Sequence, residues 1–201
     1  MTNRPLRPPA VRLVIASGNP HKVAEIGAML AVVEIEVRPQ PPELAVEETG
    51  ATYAENARLK AEAAAAATGT WALADDSGLE VDALGGRPGL FSARYAPTDA
   101  ERIHRLLREI DDSLYRGASY VSAMALADPS GRTVAESHGV CRGQILRSPE
   151  GQGPGYDPIF WVREAGTSYA HMSEHLRARL GSRGKAARGI APSLRRCLGL
   201  D

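Results

Sequence analysis

Short apolar runs alternate along the chain with segments of helical periodicity. Leu13-Val14-Ile15-Ala16 has the content of a buried strand, and Ser17-Gly18-Asn19-Pro20 after it is a turn with proline placed where helices start. From Lys22 to Leu30, Val23, Ile26, Met29 and Leu30 recur at helical spacing. Val32 to Val37 reads as a second strand, Pro39 to Pro42 as a loop, and Thr52 to Thr68 as an alanine-rich helix that no proline interrupts. Trp71-Ala72-Leu73-Ala74 predicts another buried strand, which Ser77-Gly78 is expected to break, so that Asp75 and Asp76 leave the sheet at its rim. Strand alternation then turns one aspartate into a cleft and the other toward structure. A helix is expected from Asp99 to Ile110. Ser119 to Ala127 and Thr133 to Cys141 flank the turn residues Asp128-Pro129-Ser130-Gly131, which predicts an antiparallel hairpin. Ile159-Phe160-Trp161-Val162 is one more strand, and Pro192 is expected to break or restart the last helix. The pattern is α/β, with helices packed on a mixed sheet.

Composition adds bounds. A chain of 201 residues is long enough for a substantial core, as one large domain or two lobes sharing a sheet. We take residues 11–201 as a single domain and 1–10 as a disordered basic tail. Formal net charge is +0, so nothing global favours nucleic acid or a membrane surface. From Arg177 to Arg196 the chain is basic without a carboxylate, which fits either a solvated helical face or a docking surface for an anion. Cys141 and Cys197 form neither a CxxC nor a disulfide framework, as expected of reduced thiols in the cytoplasm. The first residues have no apolar signal region, and no later segment has the length and apolarity of a membrane span.

The candidate chemistry lies in two places. In Ser17-Gly18-Asn19-Pro20-His21-Lys22, a strand, a turn and a helix start present backbone N–H groups and a lysine to an anion. It is not a Walker loop, and alone it reads better as a plain N-capping turn. Glu47-Glu48-Thr49-Gly50 and Asp75-Asp76 supply carboxylates for a hard divalent cation, and Mg2+ needs only one or two of them beside substrate phosphate. Together they point to triphosphate chemistry. Other signals are weaker. Ser77 lacks a Gly-x-Ser-x-Gly elbow, and His171 with His175 lacks a third metal ligand. Gly151 to Gly155 reads as a lid or pocket wall.

On these residues the chain resembles the inosine/xanthosine triphosphate pyrophosphatase family, also called Ham1-like. The resemblance runs from about Leu13 to Ala187. It is carried by Ser17-Gly18-Asn19-Pro20-His21-Lys22, by Glu48-Thr49-Gly50 with Tyr53-Ala54-Glu55-Asn56-Ala57 and Lys60, by Asp75-Asp76-Ser77-Gly78-Leu79 with Leu84-Gly85-Gly86, Pro88-Gly89 and Ser92-Ala93-Arg94-Tyr95, and by Gly155-Tyr156-Asp157-Pro158-Ile159-Phe160. It implies a long mixed sheet flanked by helices, two lobes with the active groove between them, and a homodimer. It implies attack of water on the α-phosphorus of ITP, dITP or XTP, with Mg2+ as cofactor, releasing pyrophosphate and the monophosphate. Ser17, Asn19 and Lys22 would contact phosphate, as would Lys60. Glu48 and Asp76 would hold Mg2+, Asp76 would also be the general base, Asp75 would support that cluster and Ser77 would touch substrate. Gly155, Tyr156, Asp157, Arg177, Ser182 and Arg183 would form the base pocket, where Arg183 and backbone N–H groups near Tyr156 and Asp157 could donate to a 6-keto oxygen.

At that pocket the chain departs from the family pattern. Pro154 stands where members usually carry a base-stacking Phe, Ser182 stands in place of a His, and Arg177 replaces a Lys. Three readings follow: a purine pocket that tolerates these changes, a shifted base preference, or a nucleotide-binding dimer without turnover.

Overall fold

The computed structural model describes residues 11–30 and 35–200, so the expected tail at 1–10, residues 32–34 of the second expected strand and the final residue lie outside the described residues. One sheet carries seven strands in the order β2-β1-β3-β4-β5-β6-β7. β1 (Val11–Ile15) lies parallel to both β2 (Ile35–Pro39) and β3 (Trp71–Val81). β4 (Gly117–Ala127), β5 (Thr133–Ile145), β6 (Phe160–Val162) and β7 (Thr167–Ser168) continue it antiparallel, so the sheet is mixed as the sequence predicts. The β4–β5 turn closes as the hairpin residues require: Gly131 takes φ 82 and its N–H donates to the Asp128 carbonyl.

Period-two alternation sorts the apolar side chains into two layers. Leu13, Ile15, Leu73, Met124 and Leu126 face one way and pack against α1 (Pro20–Met29) and α5 (Ser182–Leu198). Val14, Ala16, Ala72, Ala74, Ala125 and Ala127 face the other way and meet Ala57, Ala61, Ala64 and Ala65 of α2 (Tyr53–Thr68). Alanine on both partners lets α2 lie close on the sheet, and Thr52 caps its start by accepting the Glu55 N–H. A third cluster surrounds Leu79, Val81, Ala118, Ile145 and Phe160 at the far end of the long strands, with Leu106 and Ile110 at α3 (Asp99–Glu109). α4 (Glu174–Leu180) was not anticipated from the sequence.

Two expectations are corrected. β3 does not stop at Ser77-Gly78: it runs unbroken for 11 residues, and Asp75 and Asp76 pair with Met124 and Ala123 in mid-strand. Gly78 instead makes room, since a Cβ there would stand 2.3 Å from the Gly89 carbonyl oxygen and 2.9 Å from Ser92 Oγ. Nor does Pro192 break α5, which continues through it. The helix tolerates the missing N–H because Ile190, Leu194 and Leu198, on its inward side, are buried in the core.

Candidate active site

Adjacent residues of β3 deliver their carboxylates to opposite faces of the sheet. On the α2 face, Asn56 and Lys60 stand one helical turn apart and reach the same group. Asn56 Nδ2 donates to Asp76 Oδ2 over 3.2 Å. Lys60 Nζ donates to Asp76 Oδ1, to Glu48 Oε1 and to the Asp75 carbonyl, each at 2.9 Å. Glu48 is brought in by the loop before α2, where the Gly50 N–H donates to Asn56 Oδ1 over 2.8 Å. Arg94 adds a cation 3.4 Å from Glu48 Oε2.

The two carboxyls differ in proton affinity. Burial raises that of Asp76, and Glu48 adds to this while Lys60 and Asn56 oppose it, leaving the group above the ordinary carboxylate range. Burial also acts on Glu48, but Lys60 and Arg94 outweigh it and hold that carboxyl low. Two hard oxygen donors therefore converge on one cationic atom, the Lys60 ammonium. Among the described residues no three or more of His, Cys, Asp and Glu converge to hold a metal; a cation in place of the Lys60 ammonium would meet two carboxylates, and Mg2+ is commonly held by one or two.

On the opposite face the Asp75 carboxylate, fully buried, meets Lys22 Nζ at 3.1 Å and Arg183 Nε at 3.2 Å through Oδ2. Ser77 Oγ donates to the same oxygen over 3.3 Å and accepts from Arg183 Nη2 over 3.1 Å. Arg183 Nη1 donates to Glu25. Burial raises the Asp75 carboxyl, yet Arg183 and Lys22 prevail and hold it well below the usual range. Each of the three Arg183 nitrogens thus has a side-chain partner, in Asp75, Ser77 and Glu25.

A cavity of about 350 Å³ opens on this face. Asn19, Lys22, Ser77 and Arg183 line one part of it, and Tyr120, Pro154, Gly155, Tyr156, Asp157 and Arg177 another, with Ser122 and Ser182 in the lining as well. The Gly155 N–H donates to Asp99 over 2.7 Å, Tyr156 OH donates to the Ser92 carbonyl over 3.0 Å, and the Ser122 and Ser182 hydroxyls pair at 2.9 Å. Arg177 donates to the Tyr169 and Ala170 carbonyls. The sequence-predicted residues thus fall into two groups: Glu48, Lys60 and Asp76 on the α2 face, and the rest near the cavity.

The turn before α1 is an N-capping turn, one of the two readings its sequence allowed. Asn19 Oδ1 accepts the His21 N–H at 2.9 Å and the Lys22 N–H at 3.4 Å, so these two donors of the helix start are already satisfied. Asparagine is a preferred N-cap, and its own N–H is held by Ser17 Oγ at 3.2 Å. The basic C-terminal run divides between the two alternatives: Arg179, Arg188 and Arg196 are exposed, while Arg177 and Arg183 line the cavity. His171 Nδ1 pairs with Ser168 Oγ at 3.1 Å. Glu25, Asn56, Tyr120 and Ser122 were not singled out from the sequence. Spacing from residues already suspected could have found the first two, since Glu25 follows Lys22 by three and Asn56 precedes Lys60 by four on helices.

The start of α5 depends on a glycine in β5. A Cβ at Gly139 would lie 2.1 Å from the Ser182 carbonyl oxygen and 2.7 Å from the Ala186 nitrogen, both main-chain atoms. Gly139→Ala is therefore expected to push α5 off the sheet and lower the melting temperature by about 5 °C. Arg183, at the start of that helix, should move with it. Unchanged melting would mean that the helix accommodates the methyl group without moving.

A family model described as the Ham1 family matches residues 13–193. A protein named dITP/XTP pyrophosphatase from Synechococcus sp. is 48% identical over 202 residues, covering 100% of this chain and 95% of its own. One of the same name from Gloeobacter violaceus is 49% identical, covering 89% of this chain and 91% of its own. The solved structure of a HAM1 protein from Coxiella burnetii, 39% identical, superposes with a TM-score of 0.84 over 92% of this chain and 99% of that one.

Proposed function

The chain belongs to the Ham1 family, and from that premise we propose that it is a nucleoside triphosphate pyrophosphatase that uses Mg2+ to hydrolyse dITP, ITP and XTP, clearing them from the nucleotide pool. The observation that carries this reading is the Lys60 ammonium held between Glu48 and Asp76, two carboxylates around a positive charge, with Asp75, adjacent to Asp76 in β3, paired to Lys22 and Arg183 of the cavity lining on the other face. Held by Glu48 and Asp76, Mg2+ would supply charge neutralisation for the departing pyrophosphate. Asp76, whose proton affinity burial raises, takes a proton from water as the water oxygen bonds to the α-phosphorus and the bond to the bridging oxygen of the β-phosphate breaks. Lys60 keeps that carboxylate oriented, and with Lys22 it offsets charge along the phosphates. Residues 11–201 would act as one catalytic domain, in a cytoplasmic homodimer. Among the described residues no helix is long and apolar enough to cross a membrane.

Pro154 in the cavity wall favours a second reading, the same hydrolysis with a shifted base preference, since proline recovers only part of the roughly 1–3 kcal/mol that an aromatic gains by stacking on a base. Both readings are tested by pyrophosphate release from ITP, dITP, XTP and the standard nucleoside triphosphates, with Mg2+ and after chelation. A preference of at least about tenfold for ITP or XTP over ATP and GTP, lost on chelation, is the expected result. A preference for another base selects the second reading, and no release from any triphosphate overturns both.

A further inference from the structure

One contact in the cavity has no part in the chemistry just described. Tyr120 stands on β4 with its ring 4.5 Å from Phe160 and 5.3 Å from Tyr169, centroid to centroid. Its hydroxyl donates to Asp157 Oδ1 over 2.9 Å. Packing between two rings fixes the tyrosine, so its O–H is a stationary donor. Asp157 begins a short 3-10 turn (Asp157–Ile159), and its N–H is tied to the Pro154 carbonyl at 3.2 Å. Its second oxygen, Oδ2, faces Arg177 Nη1 at 3.8 Å, beyond hydrogen-bond distance. One oxygen of this carboxylate is committed and the other is left to accept.

We propose that Tyr120 is a positioning residue for base selection: by holding Asp157 Oδ1 it sets Asp157 Oδ2 as a fixed acceptor for the ring N–H of a 6-oxopurine. This rests on the nucleotide reading above. A 6-oxopurine carries hydrogen on N1, whereas adenine presents a lone pair there, so a carboxylate accepts from the first and repels the second. With Pro154 offering little stacking, a larger share of base affinity falls on such polar contacts.

The electrostatics agree with the geometry. The groups facing Asp157 are Tyr120 on β4, Arg177 on α4, Glu25 on α1, Arg183 on α5 and Tyr169. Burial raises its pKa to about 6, opposed by the Tyr120 hydrogen bond and by Arg177 and Arg183, with Glu25 adding to the rise. Removing the Tyr120 hydroxyl should therefore raise it further, so the acceptor is protonated sooner as pH falls.

The test compares wild type, Tyr120→Phe, Asp157→Asn and the double variant. ITP and ATP turnover and IMP binding by calorimetry are measured between about pH 5 and 8, with melting curves for each protein. Tyr120→Phe should raise KM for ITP about tenfold with kcat within about twofold and ATP kinetics unchanged. The Asp76 base gives an acid limb with either substrate, which cancels in the ratio of kcat/KM for ITP to that for ATP. The acid fall of that ratio should move to higher pH in Tyr120→Phe. In the Asp157→Asn background the same change should alter KM by less than about twofold. The acid fall of the ratio should be absent from Asp157→Asn alone, a readout that does not depend on Tyr120→Phe folding. Unchanged ITP KM and ratio profile in Tyr120→Phe, a tenfold effect that persists without the Asp157 carboxylate, or an acid fall of the ratio that survives Asp157→Asn would overturn the proposal. Wild type that binds IMP yet releases no pyrophosphate would end the hydrolytic reading, and IMP affinity in the same four proteins would then decide the role of Tyr120. Wild type that does neither overturns both.

Discussion

Protein carrying Asp76→Asn is expected to release pyrophosphate at least about a thousandfold more slowly than wild type and to melt within a few degrees of it. The two halves of that expectation have separate causes. Asn has nearly the same shape, and Lys60 keeps Glu48 Oε1 and the Asp75 carbonyl as acceptors. Burial already disfavours the charge on Asp76, so a neutral side chain costs little there. What vanishes is the ability to take a proton from water at an oxygen oriented by Lys60 and Asn56, for which an amide is no substitute. Steady-state pyrophosphate release and a melting curve on one preparation check both halves. Turnover near the wild-type value would remove Asp76 from its role as base.

The neighbouring substitution is expected to do the reverse. Asp75→Asn should destabilise the protein by about 3 kcal/mol, near the lower end for breaking a buried ion pair, because Arg183 retains Glu25. For a chain of 201 residues that is a melting temperature lower by about 6–12 °C. The loss should depend on pH in a defined sense. The Asp75 pKa is depressed in the folded protein, so its contribution is fully present above the unfolded carboxylate value of about 4 and disappears as pH falls through the lower folded value. The melting difference between wild type and Asp75→Asn should therefore be constant at neutral pH and close only in strong acid. A difference that grows on acidification would contradict the assignment of the buried charge to the ionised form.

Much of this was legible in the residues themselves. Alanines at 57, 61, 64 and 65 gave α2 its helical signal and also the face that meets the sheet. The hairpin at Asp128 to Gly131 followed from turn chemistry, and the alternation of Asp75 and Asp76 followed from the pleat. The failures share a cause, which is that the deciding atoms lie far away in sequence. Gly78 looked like a strand breaker because nothing near it reveals the Gly89 carbonyl that crowds it. Pro192 looked like a helix breaker because propensity is local, whereas the burial of Ile190 and Leu194 is not. Asn19 could be read either as part of an anion site or as an N-cap, and only the folded turn shows its side chain accepting from His21 and Lys22. Tyr120 gave no signal beyond an apolar strand position, and its importance rests on Asp157, 37 residues later.

The placement of Asp75 and Asp76 on successive residues of one strand amounts to a covalent ruler. The ammonium and guanidinium of Lys22 and Arg183 are referenced to one carboxylate, and Lys60 and Glu48 to the next, with about 3.8 Å between their α-carbons. Bond lengths set that interval between the two α-carbons, so the strand positions to which both charge clusters are anchored cannot drift apart. A residue inserted into or deleted from β3 between them would turn one carboxylate to the other face.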